Sequence, residues 1–150
     1  MAKLVLTNAV VTFQALDTSL TPPVPVGAVY DFSDHISSIS LSTVHEIVET
    51  TEVGQIYKRV IAGLGTNSVN FEFYQDFANG SIEDTIYDWI GARVLCKVKP
   101  ISAPTSTTNP EYEFQVLINE WTPLNAGVGQ ISTINVSWPI NGPIDKNTTP

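Results

Sequence analysis

Two histidines, one cysteine and a scatter of carboxylates are all this chain offers for side-chain chemistry. His35 follows Asp31 and Asp34, an acidic neighbourhood for a cation. No second His or Cys stands at a ligand spacing, so the segment reads as a polar surface turn. His45 and Glu46 are strand neighbours whose side chains point to opposite faces, and they do not make one site. A Ser-His-Asp triad is assembled in space and stays open, but no Gly-x-Ser-x-Gly elbow is present. Gly63-Leu-Gly65 lacks the length and the following Lys-Ser/Thr of a phosphate loop, and reads as a turn between two strands. The pairs Glu49/Glu52, Glu83/Asp84 and Glu111/Glu113 are spacings any acidic chain contains. Cys96 falls on an apolar position of an alternating run, where a buried inert thiol is the expectation. Asn135-Val-Ser137 and Asn147-Thr-Thr149 match glycosylation sequons, but with no secretory leader expected they are chance matches. No catalytic, cofactor or metal residue is assigned, and the chain is expected not to be an enzyme.

Composition points elsewhere. The 150 residues suit one domain spanning 1–150, large enough for a substantial core. Hydrophobic residues make up 43% and charged residues only 15%, against about 25% in an ordinary soluble domain. Such a neutral surface suits a protein covered by partners. Fifteen acidic residues against seven basic give a net charge of −8. That balance argues against a phosphate-gripping surface, which needs Lys and Arg to displace counterions. One cysteine excludes an internal disulfide. No apolar run approaches the ~20 residues of a membrane-spanning helix, and the amino terminus lacks the pattern of a signal peptide. Synthesis in the cytoplasm is expected.

The elements that would carry any function are strands. Val69, Phe71, Phe73, Gln75 and Phe77 alternate with Asn70, Glu72, Tyr74 and Asp76. Val94, Cys96 and Val98 alternate with Arg93, Leu95, Lys97 and Lys99; Tyr112, Phe114, Val116 and Ile118 with Glu113, Gln115, Leu117 and Asn119; and Ile134, Val136 and Trp138 with Thr133, Asn135 and Ser137. Ile39 and Leu41 alternate with serines, and 10–16 and 55–62 are further strand candidates. Half-apolar strands imply antiparallel sheets with one packed face and one wet face. The fold class is therefore mainly β, a two-sheet sandwich or barrel with one flanking helix at 82–90. In that helix Ile82, Ile86, Trp89 and Ile90 form one stripe, Ser81 and Asp84 suit a capping box, and Gly91 ends it. Residues 21–27, 101–110 and 125–129 read as connections, and 141–150 as an extended arm without a core of its own.

Several segments, in order, carry a family likeness. They are Asp-Phe-Ser-Asp-His-Ile-Ser-Ser-Ile at 31–39, Glu-Thr-Thr-Glu-Val-Gly at 49–54, Val-Ile-Ala-Gly-Leu at 60–64 and Val-Asn-Phe-Glu-Phe-Tyr-Gln-Asp-Phe at 69–77. The helix, Pro-Thr-Ser-Thr-Thr-Asn-Pro-Glu-Tyr at 104–112 and Val-Ser-Trp-Pro-Ile-Asn-Gly at 136–142 complete the series. Together they resemble the major tail tube proteins of siphophages, the long-tailed, non-contractile bacteriophages. The resemblance implies a β-sandwich subunit that closes into six-membered rings, stacked into a hollow virion tube through which genome DNA passes without specific binding. It implies self-association, together with tape measure, tail terminator and distal tail proteins as partners. In such proteins a loop between early strands contacts the neighbouring ring, and Glu49, Glu52, Lys58 and Arg59 mark that loop here; an ordinary charged hairpin is the alternative. Asn70, Glu72 and Asp76, the polar side of the clearest strand, are the lumen-facing candidates, with bulk solvent as the alternative. The amino-terminal stretch and the 141–150 arm are further contact candidates.

Rival readings remain. The tube of a contractile tail or of a type VI secretion system shares the expected fold. From another class, Trp89, Trp121 and Trp138 on an acidic β-sandwich suit a carbohydrate-binding module, which requires them exposed as a platform. Positions on the helix stripe and an apolar strand face favour core placement for Trp89 and Trp138.

Overall fold

The computed structural model of the chain describes Leu6 and residues 8–150; most of the amino-terminal stretch named above lies outside the described residues. Among the described residues eight strands form two antiparallel sheets. They are β1 (Val10–Asp17), β2 (Val24–Asp31), β3 (Ile36–Glu49), β4 (Val60–Tyr74), β5 (Arg93–Lys99), β6 (Glu111–Leu117), β7 (Thr133–Pro139) and β8 (Asp145–Asn147). The order is β2-β1-β5-β6-β8 in one sheet and β3-β4-β7 in the other.

Period-two alternation builds the core between them. Phe13, Cys96 and Phe114 stand opposite one another across the larger sheet, and Phe71 pairs with Val136 and Val69 with Trp138 in the smaller. All are buried. Trp138 and Phe13 join the layers, their rings 6.4 Å apart in a T-shaped contact. The Cys96 thiol is buried in this layer, and burial holds its pKa well above the ordinary value. Beyond β7 the chain turns the corner of the sandwich, where Ile140 bridges to Val116 of β6.

The helix α1 (Ile82–Ile86) is shorter than its apolar stripe predicts, because the chain tightens into a 3-10 turn over Tyr87–Trp89. Ile82 and Ile86 are buried, whereas that tighter winding rotates Ile90 out to solvent. Gly91, at φ 87°, ends the segment. The expected capping box is replaced. The Ser81 hydroxyl donates to Asp76 at 2.8 Å, and the Asp84 carboxylate accepts from the Gly80 N–H at 2.9 Å.

Other boundaries also differ. Gly63 and Gly65 lie inside β4 rather than in a turn, beside a register shift between His45 and Ile47. A Cβ at Gly65 would stand 2.9 Å from the His45 ring, so the glycine makes room for that side chain. Residues 55–59 belong to the β3–β4 connection, with strand pairing starting at Val60. At the other end β4 stops at Tyr74, and Phe77 is exposed. Val24–Val26, read as connection, open the edge strand β2, where prolines cost no ladder hydrogen bond. The 141–150 segment is extended, and within it β8 pairs with β6 while Ile144 packs on the core.

The 101–110 connection is organised by one buried residue. The Asn109 carboxamide donates to the carbonyls of Ala103 (2.9 Å) and Ile101 (3.1 Å) and accepts from the Ile101 N–H at 3.2 Å. Asn109→Ala orphans those groups and is expected to cost about 1–3 kcal/mol. Chemical denaturation measures this; an unchanged midpoint would mean water replaces the amide freely.

Candidate assembly surface

β3 and β4 run past the sandwich as a long hairpin. The last buried residue before its tip is Phe32 and the next after it Val69, and no residue from 43 to 66 is buried. Yet this stretch is rich in apolar side chains: Val44, Ile47, Val48, Val53, Ile56, Tyr57, Val60, Ile61 and Leu64 are all exposed. Val53 and Ile56, at 107% and 91% relative exposure, make essentially no packing contact within the subunit. The connection is nevertheless ordered by its own backbone. Thr50 N–H donates to the Arg59 carbonyl at 2.8 Å, Arg59 N–H to the Thr51 hydroxyl at 3.0 Å, and Gln55 N–H to the Glu52 carbonyl at 3.2 Å. A concentrated apolar patch held in shape on a projecting element marks an interaction site.

The four charged candidates gather at this end. Glu49 closes β3 opposite Val60, and Glu52, Lys58 and Arg59 lie in the exposed connection. Among the described residues the ion pairs are His35–Asp34, His35–Asp76 and Lys97–Glu113. None joins the four, so their charges are open to a partner.

The lumen candidates divide. Asn70 sits between Ser40 and Ser137, and Glu72 between Ser38 and Asn135, on the outer face of the smaller sheet. This face is a pavement of short polar side chains, with Glu72 and Glu120 as acids and, among the described residues, no Lys or Arg in its shallow central hollow. Asp76 leaves that face, because β4 ends two residues earlier. It instead accepts from the Ala78 N–H (2.9 Å) and the Ser81 hydroxyl (2.8 Å) and bonds the His35 ring at 2.9 Å.

His35 therefore ties the entry of β3 to the exit of β4, with Asp34 on its other nitrogen at 2.8 Å. Partial burial pulls its pKa down, but the hydrogen bonds from Asp76 and Asp34 outweigh this and raise it. The Asp76 pKa is lowered by the Ala78 N–H first, then by Ser81 and His35. A raised histidine stabilises fully below its unfolded value, and that contribution is lost as pH rises through the folded value. The melting temperature should accordingly fall as pH climbs from 6.5 through the His35 titration. His35→Gln should flatten that slope; a variant with the wild-type slope would remove His35 as its source.

The free edge of β7 is covered by the segment that precedes it. The Glu120 carboxylate accepts the outward Ser137 N–H at 2.7 Å, the Asn125 amide donates to the Thr133 carbonyl at 3.1 Å, and the Glu120 carbonyl receives the Trp138 indole N–H at 3.0 Å. β3, the opposite edge of this sheet, is fourteen residues long.

No family model matches the sequence, and no curated protein does. Solved structures do. The SPP1 tail tube, determined by solid-state NMR and cryo-EM, superposes with a TM-score of 0.73 at 14% identity, covering 97% of this chain and 80% of that one. This is the phage tail tube fold. The baseplate of the anti-feeding prophage matches with a TM-score of 0.58 at 15% identity, covering 97% of both chains. Glu49, Glu52, Lys58 and Arg59 lie at one end of the hairpin, whereas of Asn70, Glu72 and Asp76 only the first two share the outer face of the smaller sheet. Val53, Ile56 and Tyr57 lie within the 49–59 segment but were not singled out, Ile56 and Tyr57 having been counted in the strand read at 55–62. The tryptophans give no platform. Trp138 is buried, while Trp89 and Trp121 pack against the core, and the Trp121 indole donates to Glu83 at 2.7 Å.

Proposed function

We propose that the chain is the structural subunit of a siphophage tail tube, non-enzymatic, closing into rings of six that stack into a hollow conduit for genome delivery. The observation that carries this is a tail tube fold bearing a long hairpin whose apolar side chains the subunit's own core leaves uncovered. The hairpin, including Glu49, Glu52, Lys58 and Arg59, is the joint to the next subunit or ring. Sheet edges at β3 and β7 supply lateral contacts, since a closed ring leaves no exposed strand edge. The polar outer face of the smaller sheet, with Asn70 and Glu72, is the wall along which DNA slides; without Lys or Arg in its hollow it offers phosphates nothing to hold. Tape measure, terminator and distal tail proteins complete the virion tail, and synthesis is in the host cytoplasm. The match to the anti-feeding prophage baseplate favours a related tube as the second reading, distinguished by whether a sheath accompanies it.

Negative-stain electron microscopy of the purified chain, with size-exclusion chromatography across protein and salt concentration, tests the reading. Hollow tubes or rings of uniform diameter are expected. A monomer at every concentration that also binds a glycan or turns over a substrate would overturn it.

A further inference from the structure

From Ser68 to Phe73, β4 is held on both sides, by β3 and by β7; from Val60 to Asn67 it pairs with β3 alone. The hairpin thus leaves the sandwich as a two-stranded ribbon, the form of sheet that twists most strongly. No buried residue between 43 and 66 fixes its direction. Close to the exit, Gly63 and Leu64 stand together opposite Glu46, between the pairs His45–Gly65 and Ile47–Ala62. This is a bulge on β4, which interrupts the ladder and bends the ribbon.

Neither Gly63 nor Gly65 has a positive φ, so close approach rather than backbone conformation calls for glycine at both. A Cβ at Gly63 would stand 3.0 Å from the Val48 side chain and 3.2 Å from that of Glu46. At Gly65 the obstacle is the His45 ring alone, with all three of its nearest atoms within 3.3 Å. That ring lies over the bare glycine of the facing strand, the arrangement by which an aromatic side chain steadies a glycine in a sheet. Its Nδ1–H also donates to the Gly63 carbonyl at 3.1 Å, a bond from one strand to the bulged residue of the other.

We propose that His45 is a latch on this bulge, fixing the angle at which the hairpin leaves the sandwich. The inference concerns the single subunit and holds whether or not the chain forms tubes. The ring fills the notch over Gly65 and its nitrogen spans the interrupted ladder, so one side chain opposes both twisting and bending. Small changes there are amplified along the ribbon. The strand from His45 to Glu49 runs outward by roughly 13 Å at about 3.3 Å per residue. A rotation of about 20°, the ordinary twist between neighbouring strands, would displace its end by roughly 5 Å.

Electron–electron resonance distances test this in a chain spin-labelled at Glu49→Cys and Asn135→Cys. Both positions are exposed and lie on strands, while the native thiol is buried. Dilution with unlabelled chain restricts the reading to distances within one subunit. One narrow distance is expected with His45 present. His45→Ala should at least double the width of the distribution, and Gly65→Ala, which drives the ring out of its notch, should do the same. Circular dichroism should remain that of the parent in both, since neither side chain belongs to the core. A narrow distance that survives both substitutions overturns the latch, as does a parent distribution already as broad as those of the variants.

Discussion

Trp138→Ala is expected to destabilise the subunit by about 3–5 kcal/mol, the range for removing a fully buried large aromatic. The indole lies within 5.7–6.5 Å of Phe13, Phe71, Phe73 and Trp121, so one substitution opens a void shared by both sheets. It also strips the Glu120 carbonyl of its indole donor. Because stabilities of whole domains are about 5–15 kcal/mol, the variant should be partly unfolded at moderate temperature. Trp138→Phe keeps much of the ring contact and should lose less. Urea unfolding followed by tryptophan fluorescence and circular dichroism measures both. A loss under 1 kcal/mol for the alanine variant would show that the core does not depend on this ring.

Shortening the hairpin should have the opposite profile. Replacing residues 51–58 by a two-residue turn removes Val53, Ile56 and Tyr57, none of which contributes to the core. The melting temperature should stay within a few degrees, since surface changes away from caps and networks typically cost under about 0.5 kcal/mol. Assembly should be abolished, because each apolar side chain lost from a buried contact forfeits roughly 1.5–3 kcal/mol of burial. Sedimentation velocity alongside thermal melting separates the effects. Tubes of normal length from the shortened chain would eliminate the hairpin as the joint.

Much of the fold was legible in the residues, and the reason is burial. Wherever one face of a strand is packed, alternation is strict, as in Val69-Asn-Phe-Glu-Phe, and the strand could be read directly. The misreadings fall where packing does not discipline the pattern. Residues 55–62 alternate weakly because both faces of the hairpin are open, and Gly63 and Gly65 resemble a turn because a bulge and a close side-chain approach also call for glycine. Val24–Val26 hide in a proline-rich stretch because an edge strand tolerates proline. The helix was found from Ile82 and Ile86, but its tightening at Tyr87 leaves no mark in the spacing. Among the residues of the hairpin connection the charges stood out in the sequence, whereas Val53, Ile56 and Tyr57 did not, since an apolar residue in sequence does not announce that the fold will leave it uncovered. Asp76 was misassigned for a simpler reason: strand parity was carried two residues past the end of β4.

The cover over the β7 edge has a kinetic consequence. Any strand that adds there must first displace Glu120 from Ser137 and Asn125 from Thr133, exchanging bonds within a chain for bonds between chains. The net gain of that first pairing is small, because one set of hydrogen bonds replaces another. Edge pairing alone is thus a poor nucleus, and growth becomes favourable only when a second contact forms in the same event. If the chain assembles as proposed, a free subunit would resist random sheet extension, and a template that already presents that second contact would bypass the lag. One carboxylate and one amide at the margin of a sheet thus set the barrier to strand addition there.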